Sequence, residues 1–376
     1  MSSIVIFCKT LVKGGAEKQA LSFAKLLAER GMDVVVISWS KYKVDAQNKN
    51  FIAENSLRHY GLHGTRLMRF IQYNRILKRE NAAVVFSYLT LANIVTGLSK
   101  LFNRGLVTFG GIRSERLPVC KFLSERFVHN HLNDATIFNN HSAKNKFEQR
   151  GFNPGKGYVI HNAIKIPASF TSLKDRDDLN IITVARFVKA KDFDTSLLAF
   201  SRLTARNPDL SISYIIVGYG PEEPRIRSLI SSLGLGKKVD LVINPPNVGD
   251  FLKSSDIYLS TSLFEGLSNS LMEAMVEGLP IVATNVGDNR FLVKDGYNGY
   301  LLPVKDVEQI TLRLETLVKS SELRNTFGMN SLELISESFN EEKLLTGYLQ
   351  LIGQYTSLLT QKQVTVNEKA HTYPGL

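Results

Sequence analysis

Ile4-Val5-Ile6-Phe7, the turn Lys9-Thr10-Leu11-Val12-Lys13-Gly14-Gly15-Ala16, the helical pattern over 17–30 and the run Val34-Val35-Val36-Ile37-Ser38 decide the fold. Short β-branched runs read as buried strands, and Ala20, Leu21, Phe23, Ala24 and Leu27 fall on one side of the helix between them. The alternation continues through 84–88 and 107–109, then more weakly through 135–138 and 158–160. Strands alternating with helices imply a parallel α/β sheet. Residues 167–180, including Ser172-Leu173-Lys174-Asp175-Arg176-Asp177-Asp178, have the polarity of a linker. A second alternation follows, with strands at 181–185, 211–217, 239–243, 257–260 and 281–283 and helices between them.

The chain therefore reads as two Rossmann-like halves, residues 1–165 and 181–340, joined by a linker at 166–180. The pattern is helical from Val307 onward. Residues 341–360 are long enough to return to the first half, and 361–376 are weakly periodic, as expected of a loose tail. At 376 residues the length favours two domains, and 44% apolar with 22% charged residues excludes wholesale disorder. No apolar run approaches the ~18 residues needed to cross a bilayer. The opening residues read as a first strand rather than a signal peptide. Two cysteines, Cys8 and Cys120, make neither a disulfide framework nor a four-ligand zinc site, which points to the cytoplasm.

The net charge of +11 is unevenly spread. Residues 1–160 carry 24 Lys/Arg against 10 Asp/Glu, whereas 161–376 carry 22 against 25. The first half is expected to face something anionic. Residues 66–79 mix a basic face with apolar residues at helical spacing. Such a helix either covers the sheet with a solvated basic side or lies on an anionic membrane, gaining about 1 kcal/mol per basic residue near the lipid.

Four motifs carry candidate chemistry. Gly14-Gly15 opens a helix after the first strand, where backbone approaches closely and helix-end N–H groups attract phosphate. Its spacing matches neither G-x-G-x-x-G nor a P-loop, and a purely structural turn accounts for it equally well. Arg186 ends a strand and Lys191 follows just before a helix, at the carboxyl end of the strand, where α/β folds bind ligands. A guanidinium fork with an ammonium suits a diphosphate. In Phe264-Glu265-Gly266-Leu267-Ser268-Asn269-Ser270-Leu271-Met272-Glu273, Ser268 and Asn269 are natural N-caps. Two carboxylates for sugar hydroxyls, flanking amides for phosphate, make a nucleotide-sugar cradle. Asp175-Arg176-Asp177 has the spacing of a metal-binding D-x-D, but it sits in the linker.

In this order and spacing the motifs resemble those of the family-4 retaining glycosyltransferases of the GT-B fold. The resemblance runs from Gly14-Gly15-Ala16-Glu17 through Val159-Ile160-His161-Asn162-Ala163, Arg186 with Lys191, Gly218-Tyr219-Gly220-Pro221 and residues 260–275 to Asp295-Gly296-Tyr297-Asn298-Gly299. It implies two Rossmann-like domains facing across a cleft, with the acceptor on the N-terminal and a nucleotide diphosphate sugar on the C-terminal domain. Arg186, Lys191 and Glu265 are then catalytic. Gly15, Asn247, Gly266, Leu267, Ser268, Asn269, Ser270 and Glu273 bind the donor, with Glu265 near sugar hydroxyls, Glu273 on the ribose and the loop 244–248 reading the base. Gly14, Asn93 and Arg113 fall on the acceptor side. Many relatives place a His where this chain has Arg113, so an imidazole's role does not carry over. Arg113 and Glu115 become candidates for acceptor or phosphate contact, while His129, His131 and His141 read as ordinary residues.

The resemblance implies transfer of a hexose or N-acetylhexosamine, a UDP-sugar being favoured, by same-face substitution without a metal or other cofactor. A polyprenyl-diphosphate-linked glycan on the inner membrane face is the acceptor it suggests, as in O-antigen or lipopolysaccharide synthesis. Rival readings are a UDP-sugar epimerase of the same fold, a degenerate transferase kept as a scaffold, and a non-catalytic nucleic-acid-binding module. The last lacks a recognisable motif and an aromatic stacking pattern, so no nucleic acid is expected.

Overall fold

The structure, a computed structural model, describes residues 2–12, 14–114, 117–166 and 178–371, with side chains described as far as residue 356. The chain forms two compact units, Met1–Ala163 with Glu341–Leu376, and Ile164–Asn340. In the first, β1 (Ser3–Cys8), β2 (Val34–Ser38), β3 (Arg58–Gly61), β4 (Ala82–Tyr88), β5 (Val107–Ile112), β6 (Ala135–Phe138) and β7 (Gly157–Val159) form a parallel sheet in the order β3-β2-β1-β4-β5-β6-β7. Side chains alternate across each strand. Ile4 and Ile6 pack with Phe23 and Leu27 of the Gly15–Glu29 helix, whereas Val5 and Phe7 pack with Tyr73 and Leu77 of the Arg66–Arg79 helix and with Val95 of the Thr90–Lys100 helix. Both faces of the sheet are thus covered, as a parallel sheet requires.

The helix Glu341–His371 completes this unit. Leu344, Leu345, Tyr348 and Leu351 enter the same core as Phe23, and the Tyr348 ring stacks on Phe23 at 3.9 Å. The helix runs past residue 360, so the loose tail expected from 361 is instead helical as far as His371.

The second unit holds β8 (Leu179–Arg186), β9 (Ile212–Tyr219), β10 (Val239–Ile243), β11 (Ile257–Ser260), β12 (Ile281–Thr284) and β13 (Gly299–Leu302), parallel in the order β10-β9-β8-β11-β12-β13. Strand β8 opens at Leu179, inside the stretch read as linker. Residues 167–177, and with them Asp175-Arg176-Asp177, lie outside the described residues, as do Lys13 and Glu115.

Two strands, β3 and β13, are missing from the sequence reading, and both are edges of their sheets. An edge strand has a ladder partner on one side only and needs less apolar sequence. Arg58-His59-Tyr60-Gly61 is accordingly half-exposed.

Candidate functional site

Both sheets reverse direction at an inner strand. Chain order runs one way from β8 to β9 and β10, and the other way to β11, β12 and β13. At such a switch point the loops leaving two neighbouring strands part, opening a crevice at their carboxyl ends. In the second unit those ends are Arg186 on β8 and Ser260 on β11.

Arg186 pairs in register with Tyr219 and is exposed. The glycine turn after β9 lies flat on the segment that carries it. A Cβ on Gly218 would stand 1.9 Å from the Ala185 carbonyl oxygen, and one on Gly220, at φ +152°, 2.5 Å from that of Phe187. No carboxylate among the described residues pairs with Arg186. Lys191 closes the short turn Lys189–Lys191, and its Nζ forms an ion pair with Glu265 Oε1, which also accepts from Ser262 Oγ at 2.8 Å. The Lys191 and Glu265 side chains are only 20% and 13% exposed, so the pair is largely withdrawn from solvent. The loops after β8 and β11 are stitched together: Thr261 Oγ1 donates to the carbonyls of Lys191 (3.1 Å) and Asp192 (2.9 Å), and Leu263 N–H donates to that of Ala190 (2.8 Å).

A third loop supports Glu265. Gly287 has φ +55°, and a Cβ there would lie 2.0 Å from the Glu265 carbonyl oxygen. Asp288 N–H donates to Gly266 O at 3.1 Å, and Thr284 Oγ1 to Ser262 O at 2.6 Å. Ser262, Thr284, Gly287 and Asp288 escaped the sequence reading. A Gly-Asp turn directly after β12 was the one signal for the last two.

The helix Asn269–Val276 begins beside this loop. Ser268 takes the N-cap position expected of it but makes no side-chain cap hydrogen bond; its hydroxyl lies 3.4 Å from Ser270 Oγ, which in turn accepts from Tyr258 OH at 2.8 Å. The first helical N–H groups are left uncapped by Ser268, at the positive end of the helix. Leu267 is buried in the core and offers only backbone, whereas Glu273 is half-buried in a helix whose Leu271, Met272, Ala274 and Met275 are buried. Asn247 uses its side chain locally, donating to Asp250 Oδ2 (2.6 Å) and accepting from Gly249 N (3.1 Å). The loop 244–248 therefore presents backbone, anchored by Asn244 N–H on Gly218 O at 2.9 Å.

The first-unit candidates fare differently. Gly14 is the N-cap of the Gly15–Glu29 helix without a side-chain cap, but Glu17 lies over that helix start and accepts from Thr10 Oγ1 at 3.3 Å. Asn93 corrects the acceptor-side expectation: it is fully buried, accepts from Gly111 N–H (3.1 Å) and donates to the Glu125 carboxylate (2.9 Å). A side chain so enclosed and so satisfied holds the Gly110-Gly111 backbone and reaches no substrate. Arg113 donates to Asn162 Oδ1 (3.2 Å) and Tyr348 OH (3.0 Å) and stands over the Tyr88 ring, tying the end of β5 to the returning helix. His129 is a buried core residue, its ring 2.7 Å from Thr136 Oγ1, and burial lowers its pKa to about 4.

Burial also raises the Glu125 carboxyl to about 7, opposed by its hydrogen bonds from Asn93 and Thr90. A folded-state pKa above the unfolded one stabilises the protein below the unfolded pKa, and that contribution fades as pH rises towards 7. Glu125→Gln keeps a partner for Asn93 without the charge. The melting temperature of Glu125→Gln minus that of wild type is expected to rise between pH 4.5 and 7.5; a flat difference would show that Glu125 is not a titrating buried carboxyl.

Residues 13–166 match the family model described as Glycosyltransferase Family 4, and residues 166–333 that described as Glycosyl transferases group 1. The chain belongs to the family-4 glycosyltransferases of the GT-B fold. It is 27% identical over 351 residues to an uncharacterized glycosyltransferase of Haemophilus influenzae, covering 88% of this chain and 94% of that one. It is 22% identical to the lipopolysaccharide core biosynthesis glycosyltransferase LpsE of Rhizobium meliloti, covering 90% and 96%. Anabaena HepE, solved in complex with UDP, shares the fold with a TM-score of 0.80 at 18% identity, over 94% of this chain and all of that one. Among the described residues no helix of this glycosyltransferase is long and apolar enough to cross a membrane.

Proposed function

We propose that this glycosyltransferase moves a hexose or N-acetylhexosamine from a UDP-sugar to a glycan acceptor with retention of anomeric configuration, in the assembly of a bacterial surface polysaccharide such as O antigen. The observation that carries this reading is the convergence, at the carboxyl ends of β8 and β11, of exposed Arg186, the Lys191–Glu265 pair and a helix start left uncapped by Ser268. Cations, helix-end amides and carboxylates gathered at one end of the sheet suit a molecule that is diphosphate at one end and polyol at the other.

Arg186 and Lys191 stabilise the charge that grows on the departing diphosphate, the task a metal ion performs elsewhere, so turnover needs no metal. Backbone amides of Asn269 and Ser270 add to that field, and Gly266 and Leu267 supply backbone beside it. Glu265 gives one oxygen to Lys191 and Ser262 and keeps Oε2 for a hydroxyl of the sugar. Glu273 accepts from the ribose, and the loop carrying Asn247 reads the base through backbone. The leaving phosphate oxygen takes the acceptor's proton as the new bond forms on the same face. In the first unit, Gly14 and Arg113 are the residues proposed to meet the acceptor. The HepE complex with UDP and the lipopolysaccharide role in the name of LpsE support the choice of base and pathway class. The acceptor is a polyprenyl-diphosphate-linked glycan at the inner face of the cytoplasmic membrane.

The test is a thermal-shift panel of UDP, GDP, ADP and their sugars, with magnesium or with EDTA, on wild type and Glu273→Ala. At a hundred times Kd a ligand adds about 2.7 kcal/mol of stability. UDP compounds alone are expected to raise the melting temperature, equally with and without metal, and Glu273→Ala is expected to lose the shift. A shift that appears only with magnesium would end the metal-free assignment. A product anomer opposite to the donor's would end the retaining one.

A further inference from the structure

We propose that one face of the first unit, formed by the helices Arg66–Arg79, Thr90–Lys100 and Val119–Phe127, docks on an anionic lipid bilayer. These three helices are neighbours. The first two cover the same face of the sheet, the Phe70 and Phe102 rings meet at 6.2 Å, and Asn103 donates to Asn74 at 3.1 Å. Asn93 joins the second helix to the third through Glu125.

Each helix leaves apolar side chains on its outer side. Leu67, Met68 and Ile71 are exposed on the first, opposite buried Tyr73 and Leu77. Leu101 and Phe102, 60% and 69% exposed, project just past the end of the second. On the third, Val119, Leu123 and Phe127 recur every four residues with exposures of 70%, 48% and 57%. That spacing is one stripe along a helix, and its opposite side, Phe122 and Glu125, is buried. Among the described residues of this unit eleven large hydrophobic side chains are exposed, and all but Val12 and Tyr42 lie within residues 67–127. Scattered exposed apolar residues need no explanation, but a cluster on adjacent helices marks an interaction surface.

Charge identifies the occupant. Residues 66–126 contain eleven Lys/Arg and three Asp/Glu. Of the three, Glu80 is ion-paired with Arg58 and Arg79, Glu125 is buried, and Glu115 lies outside the described residues. Arg75, Lys78, Arg104 and Lys121 are exposed in the same stretch of chain. A second copy docking through the same patch would set this positive charge against itself. An anionic bilayer accepts both the apolar side chains, into the acyl boundary, and the basic ones, at the headgroups. Docking would bring the first unit to a lipid-linked acceptor, so its purpose rests on the function proposed above; its test does not.

The full chain is to be sedimented with vesicles of phosphatidylglycerol mixed into phosphatidylcholine, and with pure phosphatidylcholine vesicles, at low and high salt. Wild type is expected to partition onto the anionic vesicles and to be released by salt. Leu123→Ser with Phe127→Ser is expected to weaken partitioning at least about tenfold, and Arg75→Gln with Lys78→Gln by about fivefold for each charge removed. All four positions are exposed, and an unchanged melting temperature confirms that the variants are folded. Absence of wild type from anionic vesicles at low salt, or equal partitioning of the variants, overturns the proposal. So does a dimer that the Leu123 and Phe127 changes convert to monomer while vesicle binding persists. None of these outcomes alters the nucleotide shift that tests the donor site.

Discussion

Replacing Lys191 by alanine is expected to lower turnover by between about tenfold and a hundredfold, a barrier rise of roughly 1.4–2.7 kcal/mol. Two losses act together. On the proposed mechanism the diphosphate leaves without an ammonium beside it, and Glu265, its side chain 13% exposed, loses its ion-pair partner and keeps the hydrogen bond from Ser262. The second loss loosens the carboxylate proposed to position the sugar, so the effect on kcat is expected to exceed that on KM. Initial rates of UDP release with saturating donor and acceptor measure it. Wild-type turnover in this variant would remove Lys191 from the reaction and leave the ion pair as a structural clasp between the loops after β8 and β11.

Gly287→Ala is expected to be as damaging without touching a charged group. At φ +55° an alanine carries a left-handed strain of about 1–2 kcal/mol. Its Cβ would also fall 2.0 Å from the Glu265 carbonyl oxygen and 2.9 Å from that of Gly266, and only backbone can give way there. A total near 3 kcal/mol of destabilisation follows, taken with the usual cost of overpacking. The displaced backbone is the one that carries Glu265, so UDP-sugar affinity is expected to drop by more than about tenfold. Denaturant midpoints and a nucleotide titration read the two effects separately. An unchanged midpoint with unchanged affinity would show that Gly287 does not support this loop.

Much of the candidate site was legible because its residues carry local signals. A strand followed by Arg186 and Lys191, and a helix start flanked by Glu265 and Glu273, need only periodicity, capping preferences and charge to be noticed. The role expected of Ser268 was half right. It holds the N-cap position, yet its hydroxyl turns to Ser270, a choice made by Tyr258 on the neighbouring strand β11. Asn93 was misread for a related reason. A polar residue at the start of a helix after a strand looks solvent-facing, and nothing nearby in sequence announces that Glu125 arrives to bury it. Likewise the exposed stripe at Val119, Leu123 and Phe127 is, in sequence, indistinguishable from a core-facing one.

By itself the sequence determined two parallel α/β sheets, the returning helix and the residues proposed to hold a diphosphate sugar. Each follows from which side of its own strand or helix a residue occupies, and that periodicity is local. Only the tertiary structure decided that Lys191 meets Glu265, 74 residues away, that Gly287 underlies the Glu265 loop, and that Arg113 clasps Tyr348. Those partners depend on strand order. Placing β11 beside β8, and the C-terminal helix on the first sheet, is the outcome of burying whole faces at once, which no window of sequence contains.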